Sequence, residues 1–252
     1  MSRLALVHGF LGSAANWGPV LHKLKQRPEL VGWDFAAFDL LGHGSRRDAA
    51  RPLDLESIAR DLKEQIGDDP VVALGHSFGV RPLLKIAEMA PGIITHLLVE
   101  DSSPVLSAAG LAELREIFEV PTPFETREAA RDALDSRFGV GSRLSRFLLS
   151  NIRDFEGRHD WRFDHRLRDL LEASAREPLW SAWENFEGEI HMILGDRSSF
   201  VTEERAAECK SRRASRFTEI YRLPNAGHWV HADDPDGFCK LTSQILISLE
   251  NR

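Results

Sequence analysis

Val71-Val72-Ala73-Leu74-Gly75-His76-Ser77-Phe78-Gly79 decides how the rest of the chain is read. Its first four residues are apolar and valine-rich, the composition of a short buried strand. They run into a pentapeptide of the pattern G-x-S-x-G, and a helical pattern follows over 79–89. A serine on so sharp a strand-to-helix turn projects its hydroxyl from the edge of a sheet, and the flanking glycines let the backbone come close. The helix directs its positive N-terminal end at the same point. The pentapeptide alone recurs by chance. Its place between a strand and a helix is what makes Ser77 a candidate nucleophile.

Outward from that turn, short apolar runs alternate with longer amphipathic stretches, the signature of a parallel sheet covered by helices. Strands are expected at 3–8, 34–39, 71–75, 95–100, 190–195 and 217–223. Helices are expected at 14–26, 53–66, 79–89 and 235–250. The rhythm breaks once, between about 100 and 190, where no good strand pattern occurs. Helical patterns at 110–118, 126–135, 142–155 and 165–175 fill this stretch, with Trp161, Trp180 and Trp183 scattered through it. So many apolar residues do not make a solvated linker. The expected class is α/β, a doubly wound, mostly parallel sheet of about six strands. Its core comprises 1–106 and 188–252, with a helical cap inserted at 107–187.

The bulk numbers fit that plan. The 252 residues are 42% hydrophobic and 28% charged, enough to bury a core without disulfides. A formal net charge of −7 argues against nucleic acid as a partner, because phosphate binding needs a basic surface. Cys209 and Cys239 form no short-spaced metal or redox pair and read as reduced thiols. Leu4-Ala5-Leu6-Val7 is too short for the apolar region of a signal peptide, and no stretch reaches membrane-spanning length. The expectation is a cytoplasmic protein that needs no metal or organic cofactor and acts on a small molecule, away from membranes.

Two further segments complement Ser77. His8-Gly9-Phe10-Leu11-Gly12 follows the first strand, and such a turn can aim a backbone N–H, that of Phe10, at a developing oxyanion. The second donor is the N–H of Phe78, next to the serine. Asn225-Ala226-Gly227-His228-Trp229 follows the last strand, where a general base belongs when the order is serine, acid, histidine. Ten histidines are present, and position singles out His228. His231 is a weaker competitor, and His76 should point away from the serine.

These segments, with Asp39-Leu40-Leu41-Gly42-His43-Gly44-Ser45, resemble the α/β-hydrolase superfamily over nearly the whole chain. More narrowly, the chain is similar to small bacterial esterases and thioesterases of the YbfF kind. The resemblance implies a triad of serine, histidine and aspartate, and it gives Asp39 and His43 a structural task. It also implies that a usual opening antiparallel hairpin is missing, since the chain begins directly with the strand leading into His8.

The acid stays open between two residues. Superfamily members usually carry it in G-x-x-D after the penultimate strand, where this chain has Gly195-Asp196-Arg197-Ser198. Asp196 comes two residues early. The YbfF-like esterases share a serine at the usual position and an aspartate after an earlier strand, which here is Asp101. Asp101 is therefore preferred to Asp196.

What the resemblance implies is a carboxylesterase, in a finer form an acyl-CoA thioesterase, taking short to medium acyl chains. Phe118, Phe124, Phe138, Phe147, Trp161 and Trp180 either line an acyl pocket or pack the cap's own core. The alternative on this scaffold is a lyase or C–C bond hydrolase of the menaquinone-pathway type. That reading calls for arginines facing the serine, with Arg81, Arg146 and Arg162 as candidates. A ligand receptor without catalysis is the remaining rival.

Overall fold

The structure is a computed structural model and describes residues 2–250. The first half alternates strictly: β1 (Ser2–Val7), α1 (Gly18–Lys25), β2 (Trp33–Phe38), α2 (Leu55–Ile66), β3 (Val71–His76), α3 (Val80–Met89) and β4 (Ile94–Glu100). Then come α4 (Ala108–Phe118), α5 (Arg127–Phe138), α6 (Arg143–Ser150), β5 (Ile152–Phe155), β6 (Arg158–Trp161), α7 (Leu167–Ala175) and α8 (Trp180–Asn185). The chain closes with β7 (Ile190–Gly195), α9 (Glu203–Ser211), β8 (Thr218–Leu223), α10 (Val230–Asp233) and α11 (Pro235–Glu250).

The main sheet has six strands in the order β2-β1-β3-β4-β7-β8, every neighbouring pair parallel. This is the α/β class expected. Both faces are covered, and strand alternation shows how. Leu4 and Leu6 of β1 join one apolar cluster, together with Val72 and Leu74 of β3, Val20 and Leu24 of α1, and Leu246 of α11. Ala5, Val7, Ala73 and Val99 point the other way, into a cluster with Ile58 and Leu62 of α2 and Leu83 of α3. Central strands buried on both sides need near-continuous apolar sequence, which is what β1 and β3 have.

Strand order then fixes where a site can form. From β1 the chain steps outward to β2, returns past β1 to β3, and builds the other half of the sheet from there. The carboxyl ends of β1 and β3 therefore flank the switch point, where open α/β sheets bind ligands. The turn after β1 carries Phe10 and the turn after β3 carries Ser77.

Residues 142–155 depart from the single helix expected. The helix stops at Ser150, and Ile152–Phe155 pairs antiparallel with Arg158–Trp161. Glu156 (φ 54°) and Gly157 (φ 85°) form a two-residue turn with both residues left-handed, the twist that suits a tight hairpin. Asp154 Oδ1 accepts from the Gly157 N–H at 2.7 Å and closes it. The helices α8, α9 and α10 also have no counterpart in the sequence reading. Residues 14–26 begin as a 3-10 turn at Ala14–Trp17 before α1.

Candidate active site

Ser77 sits between β3 and α3 with φ +50°, a left-handed conformation that costs a non-glycine residue free energy and lifts the side chain out of the chain's path. The glycines around it permit this. A Cβ on Gly75 would stand 2.8 Å from Val80 N, and one on Gly79 only 2.5 Å from His8 O. The elbow is thus pressed directly against the end of β1, which brings the Phe10 turn beside it. The Phe10 and Phe78 rings meet edge to face at 4.8 Å. Among the described residues no protein acceptor meets the Phe10 N–H.

His228 bridges the serine and Asp101. Its Nε2 lies 3.1 Å from Ser77 Oγ and its Nδ1 2.7 Å from Asp101 Oδ2. Asp101 follows β4, is 1% exposed, and also has a left-handed backbone, φ +43°. Its Oδ1 accepts from Gly195 N–H at 3.3 Å and its Oδ2 from Ser198 Oγ at 2.6 Å. The Phe200 ring stacks on the imidazole at 3.8 Å between centroids. His76 Nε2 lies 3.0 Å from the carbonyl of His228, and Asp233 Oδ2 accepts from Gly227 N–H at 2.6 Å. Ser77, Asp101 and Phe200 therefore meet the ring itself, while His76 and Asp233 hold the backbone that carries it.

Asp196 stands elsewhere. It is exposed and lies 3.5 Å from Arg222, while Arg197 reaches Asn225 at 3.2 Å. The other histidines have separate tasks. His231 Nδ1 is 2.8 Å from Glu100, which is fully buried. His8 donates from Nδ1 to Gly9 O at 2.7 Å and accepts at Nε2 from Leu40 N at 3.1 Å. His43 likewise donates to Leu41 O at 3.1 Å and accepts from Leu11 N at 3.2 Å. Burial pushes the His43 imidazole down to about 3 and the His8 and His76 imidazoles below their ordinary 6.5, so all three are neutral in the fold. Asp39 takes the N–H groups of Ala14 and Ser45 and shapes the Gly44 turn.

Two small cavities meet at Ser77. One, of about 40 Å³, is walled by Val105, Leu106, Leu111, Leu114, Leu171 and Val201. The other, of about 30 Å³, lies against His228 and is bounded by Glu113, Leu144, Phe147, Phe200 and Trp229. A wider cavity of about 290 Å³ adjoins Phe10, Phe147 and Trp229, with Arg143 and Arg146 on its wall. Of the six aromatics expected in a cap, Phe147 alone lines either of the two cavities at Ser77; Trp161 stacks on Phe163. Arg81 is buried, donating to the carbonyls of Pro104 and Glu177. Ser198, Phe200 and Glu113 are site residues the sequence reading did not name as such. Only Ser198 carried a signal, as the hydroxyl standing where an acid usually is.

No group of three or more His, Cys, Asp or Glu side chains among the described residues could hold a metal ion. No helix among them is long and apolar enough to cross a membrane.

A turn-borne serine and a histidine from the loop after the last strand, set at the carboxyl ends of a parallel sheet, fit the α/β hydrolases, and the family model of the alpha/beta hydrolase family matches residues 4–241. The chain belongs to that family. It is similar to the sn-1-specific diacylglycerol lipase ABHD11 of Mus musculus, 27% identical over 96% of this chain and 80% of that protein. It is also similar to esterase YbfF of Escherichia coli strain K12, 24% identical over 97% and 93%. A solved marine microorganism esterase superposes with a TM-score of 0.83, 24% identity, and coverage of 96% and 94%. Family, fold and relatives place the chain among the esterase- and lipase-type α/β hydrolases.

Proposed function

We propose that the chain is a serine carboxylesterase that hydrolyses short to medium acyl esters, and thioesters of the same acyl groups, through Ser77, His228 and Asp101. The observation that carries this is the unbroken line of polar contacts Ser77 Oγ, His228 Nε2, His228 Nδ1, Asp101 Oδ2, at 3.1 and 2.7 Å. His228 removes the proton as Ser77 Oγ attacks the acyl carbonyl, and Asp101 stabilises the imidazolium and holds its tautomer. The N–H groups of Phe10 and Phe78 donate hydrogen bonds to the negative charge that forms on the carbonyl oxygen. His228 then gives its proton to the leaving oxygen or sulfur, and the acyl group stays on Ser77. Water, deprotonated by the same imidazole, releases the acid and restores the serine.

The leucine-lined cavity of about 40 Å³ takes the acyl chain, and its size favours short chains. Residues 107–187 act as the cap, since α4 and α6 supply the walls facing the serine. The lyase reading has less support, because buried Arg81 is held by two carbonyls and neither Arg146, which lines the wider cavity, nor Arg162 lines a cavity at Ser77.

The test is hydrolysis of p-nitrophenyl esters of two to ten carbons, with Ser77→Ala beside the wild type. Turnover that disappears in the variant supports the reading, and the best chain length sizes the pocket. No turnover by the wild type on any ester overturns it.

A further inference from the structure

Glu113 is the one carboxyl in the Ser77 region that the triad leaves unexplained. It lies on α4, is half-buried, and borders the 30 Å³ cavity that also holds Ser77 and His228. The rest of that wall, Leu114, Leu144, Phe147 and Phe200 among it, is apolar besides the neutral His76, and no lysine or arginine takes part. Among the described residues Glu113 has neither a hydrogen-bond donor nor an ion-pair partner. This contrasts with its helix neighbour Arg115, paired with Glu172 at 2.7 Å. Burial raises the Glu113 pKa, and the facing His228 counters that only in part. The half-buried carboxyl thus keeps its acceptor oxygens free of any protein donor on the wall of the space beside the reacting groups, where a donor on the substrate would meet them.

The cavity's position says which part of the substrate arrives there. In acyl transfer the leaving oxygen must come within reach of His228 Nε2 to receive its proton. The walls against His228 therefore touch the alcohol half, while the leucine-lined cavity beyond Ser77 takes the acyl half. A space of about 30 Å³ suits a small group there, such as a hydroxyl on a short carbon skeleton.

We propose that Glu113 is a specificity-determining residue that accepts a hydrogen bond from a free hydroxyl on the alcohol part of the ester, so that partial esters of small polyols are the preferred substrates. This rests on the esterase reading. An ester lacking that hydroxyl covers the carboxyl without offering it a donor, and selectivity follows from the loss.

The experiment compares glycerol 1-monobutyrate with propyl butyrate, which share acyl group and carbon skeleton. The wild type is expected to favour the glycerol ester in kcat/KM by about tenfold or more, the range of a hydrogen bond to a charged acceptor. In Glu113→Leu the ratio should fall to about one, and in Glu113→Gln, which keeps an acceptor oxygen, to an intermediate value. A merely structural role would slow both esters alike and leave the ratio where it was. An unchanged ratio in Glu113→Leu overturns the inference.

Butyrylcholine and 3,3-dimethylbutyl butyrate form a second matched pair, differing only in charge. A preference for the choline ester that vanishes in Glu113→Leu would also overturn it, by making Glu113 a reader of cations. Turnover of propyl butyrate that disappears in Ser77→Ala reports the esterase reading separately. If the wild type cleaves neither butyrate, both readings fall together.

Discussion

Ser198 Oγ donates a 2.6 Å hydrogen bond to Asp101 Oδ2, the same oxygen that lies 2.7 Å from His228 Nδ1. The loop after β7 thus reaches the imidazole indirectly, through a hydroxyl that fastens a carboxylate supplied by β4. The two strand ends are neighbours in the sheet, and Asp101 N–H donates to Ile193 O at 3.0 Å, so the pairing of β4 with β7 continues to Asp101 itself. Ser198→Ala removes one of the donors that fix the carboxylate. The expected loss in kcat is about tenfold, the worth of one hydrogen bond to a charged group, with little change in Tm. Steady-state kinetics beside a thermal melt would decide it, and an unchanged kcat would mean that Gly195 and His228 alone hold Asp101.

Asp101→Asn and Asp196→Asn separate the two acids outright. An amide in place of the Asp101 carboxylate favours the wrong imidazole tautomer and leaves the His228 cation without its partner, so kcat should fall about 10⁴-fold. Asp196, exposed and near Arg222, should lose under twofold. The reverse pattern would move the acid to the β7 loop.

The sequence carried the sheet and the serine plainly because both rest on local patterns. β1 and β3 are apolar without interruption, and Gly75 and Gly79 announce a close approach that their neighbours, Val80 N and His8 O, explain. The acid needed more. Asp196 and Asp101 both follow strands, and only the adjacency of β4 and β7 puts one of them against His228. Glu113 left no trace, since a glutamate on an amphipathic helix looks solvated until the fold sets leucines and phenylalanines around it. The β5–β6 hairpin was hidden by its length, two four-residue strands around Glu156-Gly157 inside a stretch patterned like helix.

Acid should unfold the protein earlier than carboxylates alone would. His8, His43 and His76 are neutral in the fold, each with its pKa below the ordinary 6.5 because burial disfavours the cation. A protonated His43 would also turn an N–H toward the Leu11 N–H it now accepts. The unfolded chain therefore takes up protons first, so the stability these residues contribute is complete above pH 6.5. It is lost as pH falls through 6.5, continuing toward about 3 for His43. Each histidine contributes a slope of about 1.4 kcal/mol per pH unit inside its window. Urea midpoints measured from pH 7.5 to 5 should be flat at the top and fall steeply below 6.5. In His43→Gln the slope should be shallower by one histidine's share, and a midpoint independent of pH across this range would contradict the assignment.

Two glycines near the serine should fail in different ways, and the difference separates folding from chemistry. A Cβ on Gly79 meets His8 O at 2.5 Å and Val7 O at 2.7 Å, both backbone atoms of a central strand end that cannot move without opening the sheet. Gly79→Ala should therefore destabilise the fold by about 3 kcal/mol or more, the upper range for overpacking, and show it as a lower Tm or insoluble expression. A Cβ on Gly9 instead meets side chains of the elbow itself, His76 Nδ1 at 2.7 Å and Ser77 Cβ at 3.2 Å. Relief there comes from a shift of the turn that carries Phe10, away from the serine. Gly9→Ala should keep most of its thermal stability while kcat falls about 10²–10³-fold, the cost of one displaced oxyanion donor. Should Gly9→Ala melt as early as Gly79→Ala, the turn after β1 serves the fold first, and its part in holding the oxyanion would need other evidence.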